Sequence, residues 1–101
     1  MSFWRRPFAD LVRRQLDLFA RDEAALLEEA RVAEVVWQRA GRDEAEEAYG
    51  DWQLVADAIG ERLLDVRETY AATVDRDSDA YRQAFGKAAA KRFPRFTTLL
   101  E

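Results

Sequence analysis

Apolar residues recur along the first forty positions at spacings that alternate four and three. Val12, Leu16, Phe19, Leu26, Ala30, Ala33, Trp37 and Ala40 fall on one line, and Glu23 is the only polar residue in it. This is a heptad seam. With neither glycine nor proline between Phe8 and Ala40, it predicts one helix over about 8–40, about 50 Å long at a rise of ~1.5 Å per residue. Pro7 suits the first helical turn, where its missing N–H costs nothing. Gly41 suits the left-handed position after a helix end, and Asp43 with Glu46 suits a capping box at the next start.

A second seam follows through Ala45, Tyr49, Trp52, Ala56, Ile59, Leu63, Val66, Tyr70 and Thr73. It predicts a helix over about 43–74. The register holds through Gly50 and Gly60, although each glycine costs up to ~1 kcal/mol relative to alanine. The run from Asp75 to Asp79 predicts a turn. A shorter helix over about 78–93 then presents Tyr81, Ala84, Phe85, Ala88 and Phe93 on one face. Pro94 stops it, because the residue before proline is pushed out of helical geometry.

The fold class expected is therefore all-α. Two long helices form an antiparallel hairpin, a third is about half as long, and oligomerisation completes the bundle. In such a hairpin Trp37 lies opposite Tyr49, Ala33 opposite Trp52, Leu26 opposite Ile59 and Phe19 opposite Val66. Ala30 opposite Ala56 leaves room, and Glu23 opposite Leu63 brings a carboxylate to the seam. Glu23 reads as an edge residue paired with Arg62 or Arg67. Its alternative reading is a buried polar residue that fixes register.

The first helix carries a second apolar stripe, and the third is too short to cover it. Phe8, Leu11, Leu18, Val32, Val35 and Val36, with Leu54 and Leu64 off the second seam, are the candidate interface residues. Uncovered apolar surface on a thin hairpin calls for a partner. The expectation is a homo-oligomer, a dimer or larger, with another protein as the other possible occupant.

Composition then removes chemistry. The 101 residues contain no histidine and no cysteine. The usual general base, the commonest transition-metal ligand and any thiolate are absent. Ser2 and Ser78 are the only serines, with no imidazole to activate them. A di-iron site of the ferritin type uses Glu-x-x-His pairs and cannot be built in that form. The acidic cluster Asp43, Glu44, Glu46, Glu47 and Asp51 does not complete the carboxylate motif of the all-helical nucleotide pyrophosphatases. Glu46-Glu47 is followed by Gly50, and Glu61 to Asp65 is spaced four. No cofactor is expected.

Charge is unevenly spread. Residues 1–16 and 86–101 each carry a net +3, while 17–85 carry a net −10. The chain reads as a single domain, 1–101, with basic-aromatic end segments at 1–7 and 94–101. Trp4, Arg5, Arg6, Arg92, Phe93, Arg95 and Phe96 are the candidate binding residues of these ends. The acidic body argues against double-stranded nucleic acid. No stretch is long and apolar enough to span a membrane, no secretory signal is read at the start, and a cytoplasmic location is expected. The function expected is non-catalytic: a structural or interaction protein with a long helical interface. Its alternative is a regulatory module whose basic-aromatic ends take single-stranded nucleic acid or lipid head groups. A Mg²⁺- or Mn²⁺-dependent carboxylate hydrolase ranks third.

Overall fold

The computed structural model describes residues 7–101. Among them lie four α-helices: α1 (Ala9–Asp22), α2 (Ala24–Arg39), α3 (Ala45–Ala71) and α4 (Ser78–Arg92). Short 3-10 turns occupy Asp75–Asp77 and Thr98–Leu100. No strand occurs among the described residues, and none of their helices is long and apolar enough to cross a membrane. Principal extents of 55 × 26 × 21 Å make an elongated body.

The helix expected over 8–40 is two helices, not one. It gives way at Glu23, whose backbone (φ −104°, ψ 23°) leaves helical geometry. Hydrogen bonding persists across the break: the Glu23 N–H donates to Phe19 O at 2.8 Å, and the Leu27 N–H to Glu23 O at 2.9 Å. The interruption is thus a bend rather than a loop. It falls at the one polar residue of the seam, where apolar packing holds the helix least firmly. The helix expected over 43–74 is continuous from Ala45 to Ala71, through both glycines.

Three terminal signals are corrected. Pro7 precedes α1 instead of sitting in its first turn, because Phe8 takes a left-handed conformation (φ 68°) that turns the chain off the helix axis. Such a conformation costs a non-glycine residue on the order of 1–3 kcal/mol. It is held by the Phe8 ring, edge-on to Tyr81 at 5.5 Å, and by the Val12 N–H, which donates to Phe8 O at 2.9 Å. Gly41 is not left-handed; α2 ends where Ala40 becomes extended (φ −65°, ψ 140°). The Asp43–Glu46 capping box does not form. A turn closed by Glu44 N–H donating to Gly41 O at 3.0 Å leads into α3, which has no side-chain cap.

The core is densest where α1, α3 and α4 meet. Tyr81 and Phe85 of α4 are fully buried among Val12, Leu16 and Phe19 of α1 and Ile59 and Leu63 of α3. Each such side chain contributes ~1.5–3 kcal/mol by leaving water. Phe8 meets Tyr81 and Phe19 meets Phe93, so α1 and α4 run in the same direction. The Tyr81 hydroxyl donates to Gln15 Oε1 at 2.8 Å, which satisfies the polar tip of a buried ring.

Further along, α2 packs chiefly on α3, with the tail touching it at Glu34. Trp37 meets Tyr49 at 4.8 Å and Trp52 at 5.4 Å between ring centres, and Arg62 Nη1 donates to Glu23 Oε1 at 2.8 Å. These contacts run in opposite order along the two helices. Ala30 and Ala56, expected to leave room, are both buried.

Candidate interaction surface

The residues left uncovered by this packing form a groove between α2 and α3. On α2, Glu29, Val32, Ala33 and Val36 stand at i, i+3, i+4 and i+7, which is one helical face. On α3, Ala48, Asp51 and Val55 fall on one face in the same way, with Leu54 beside them. No residue of α4 or of the C-terminal tail lines this groove, whose volume is about 630 Å³. Leu54 is 72% exposed, Val36 55% and Val32 47%. Isolated exposed aliphatic side chains are ordinary, but three in one groove floored by alanines and Val55 are a patch. Glu29 and Asp51 form its polar edge, and among the described residues neither has an ion-pair partner.

The other interface candidates lie elsewhere. Phe8 and Leu11 pack against the core of the chain itself. Leu18 is exposed beside a separate shallow groove with Gln15, Phe19, Asp22, Glu23 and Val66. Val35 and Leu64 are half-buried. The structure therefore gathers Val32, Val36 and Leu54 and separates the rest from them.

The C-terminal basic-aromatic stretch is engaged within the chain. Phe93 is buried, edge-on to Phe19 at 5.6 Å. Arg92 pairs with Asp17 of α1, and Arg95 with Glu34 of α2 at 3.1 Å. Phe96 is half-buried against the core. Trp4, Arg5 and Arg6 lie outside the described residues.

Two features that hold this tail were not legible as such in the chain. Gly60 is buried, and a Cβ placed there would lie 3.1 Å from Phe96 O and 3.3 Å from Leu99 Cδ1. Its bare backbone is the slot into which the tail fits. A glycine inside a strong helical pattern was the available signal, since it lowers helix stability without a local benefit. The second feature is Glu68. Arg82 donates to both its carboxylate oxygens, at 2.9 and 3.0 Å, and Arg67 donates to it at 2.8 Å while also reaching Leu100 O at 3.1 Å. One carboxylate thereby joins α3, α4 and the tail. The hydrogen bonds from Arg82, ahead of those from Arg67, hold its pKa below the ordinary glutamate value.

Nearer the start of α3, Tyr49, Trp52, Gln53, Asp57 and Arg95 edge a cavity of about 240 Å³ under the tail. The Trp52 indole N–H is buried without an acceptor. Asp43, Glu44, Glu46, Glu47 and Asp51 are all exposed, and no three acids among the described residues converge as metal ligands would. No protein-family model, curated protein or solved structure matches the chain.

Proposed function

We propose that the protein is a non-catalytic structural or interaction protein that self-associates through the α2–α3 face. In this reading the segments 8–40 and 43–74 act as one bent hairpin, and a second copy supplies the layer that α4 is too short to provide. The observation that carries it is the groove holding Val32, Val36 and Leu54, apolar, continuous and uncovered. A closed two-fold dimer is the commonest way for a chain to cover such a patch.

Sedimentation equilibrium over a concentration series tests this. The full chain is expected above its 11.7 kDa monomer mass, and Leu54→Lys is expected at it. A full chain that stays monomeric at high micromolar concentration overturns the proposal. The alternative, an anionic ligand held by the basic-aromatic ends, loses support from Arg92, Phe93 and Arg95, whose side chains are already engaged. The hydrolase reading gains none from the exposed, unconverged acids.

A further inference from the structure

We infer that the groove between α2 and α3 receives the segment Phe3-Trp4-Arg5-Arg6 of a second copy of the chain; this rests on the self-association just proposed and names what fills the face. The groove and the segment are chemically complementary. The groove offers an aliphatic floor with two carboxylates at its edge, Glu29 and Asp51, both unpaired among the described residues. The segment offers two adjacent aromatics followed by two adjacent arginines. Rings on the floor and guanidiniums at the carboxylates satisfy both halves, and arginine suits carboxylate pairing at an interface.

Reach excludes the segment of the same chain. Phe3, the farther of the two aromatics, stands four residues before Pro7, a fully extended span of at most about 14 Å. Phe8 is fixed beside Tyr81 at 5.5 Å, and Tyr81 beside Tyr70 at 4.7 Å, near the end of α3. Leu54 lies sixteen residues earlier in that same continuous helix, about 24 Å along its axis. The aromatics of one chain cannot cross that distance to their own groove. Two elongated copies lying side by side and head to tail bring each start to the other's groove.

The area that such a pairing buries is also sufficient. Phe and Trp side chains bury ~150–250 Å² each. Two reciprocal segments with their grooves then bury on the order of 1,200–2,000 Å², the range of stable specific dimers.

The test uses the full chain and sedimentation equilibrium. Phe3→Ala/Trp4→Ala is expected to weaken dimerisation by at least about thirtyfold, as loss of an aromatic anchor does. Two charge-reversed chains supply the decisive arm: Arg5→Glu/Arg6→Glu and Glu29→Arg/Asp51→Arg. Each alone is expected to be monomeric. Mixed in equal amounts they are expected to form a heterodimer, because each start then meets a groove of opposite charge. Charge-reversed chains that stay monomeric when mixed overturn the inference. A dimer that survives Phe3→Ala/Trp4→Ala but dissociates with Leu54→Lys also overturns it, and assigns the groove to direct face-to-face packing, leaving the self-association proposal intact. A wild-type chain that is monomeric throughout overturns both.

Discussion

The two halves of the molecule solve the same packing problem with different numbers of layers. Where α1, α3 and α4 meet, large side chains from three helices interlock: Val12, Leu16 and Phe19, Ile59 and Leu63, Tyr81 and Phe85. Where α2 meets α3, only two helices are present, and buried positions there include Ala30, Ala48 and Ala56. Larger residues on that side, Val32, Val36 and Leu54, face outward. A pair of helices has one shared seam, so any second apolar stripe stays wet until a third element arrives. Helix α4 has 15 residues, and it ends beside Phe19, before it can cover α2. The tail continues past that point but lies in the Gly60 slot and at Glu34, away from the groove.

This contrast is open to attack from its strongest point downward. Phe85→Ala in the three-helix half is expected to lower stability by ~3–5 kcal/mol, the cost of emptying a filled aromatic site. Urea unfolding measures it, and a loss below ~1 kcal/mol would mean that this half is not the tight one. Gly60→Val forces a branched side chain against Phe96 O and Leu99, with an expected loss of ~1–3 kcal/mol from overpacking. Hydrogen exchange should show the effect concentrated in the tail and not in α1 or α4. Protection of residues 96–100 unchanged by Gly60→Val would remove the slot.

Smaller effects follow at charged positions. Glu68→Gln is expected to cost only ~0.2–1 kcal/mol, because the side chain is partly open to water and screened. Its sign with pH is fixed by the lowered pKa. The unfolded chain binds the proton more readily, so the contribution is complete above the ordinary glutamate value, ~4.3. It disappears as pH falls through the lower folded-state value. Stability curves of the two proteins should therefore run parallel at neutral pH and converge in acid; a gap that widens in acid would contradict the assigned role. Leu54→Lys, on the two-helix side, is expected to change monomer stability by no more than ~0.5 kcal/mol. A large loss there would mean that Leu54 is held within the chain after all.

Much of the seam was readable from residue spacing. Val12, Leu16, Phe19 and Ala30 are buried on the first helical line, and Ala56, Ile59 and Leu63 on the second. Heptad spacing reports which side of a helix is apolar, and that is a property of the chain alone. Glu23 paired with Arg62 follows from the same register. The ends were less legible. Gly41 and the pair Asp43 and Glu46 carry the residue types of terminal motifs, yet the chain closes its turn through backbone bonds instead. Phe8 gave no sign of a left-handed backbone, because its conformation is fixed by a ring contact with Tyr81, 73 positions away. The candidate site was half legible. The second stripe was visible, but nothing in the spacing separated Phe8 and Leu11, which pack inward, from Val32 and Val36, which do not.

By itself the sequence determined that the chain is helical, which faces of its helices are apolar, and that the imidazole and thiol chemistry of many active sites is absent. Those are local or compositional properties, set by period and by residue type. Tertiary structure alone decided where the first helix bends, which half receives α4 and the tail, and hence which part of the apolar stripe stays uncovered. Those outcomes depend on helix lengths and on contacts between distant residues, such as Phe19 with Phe93 and Gly60 with Phe96. A periodic pattern specifies that a face must be covered, but not by what.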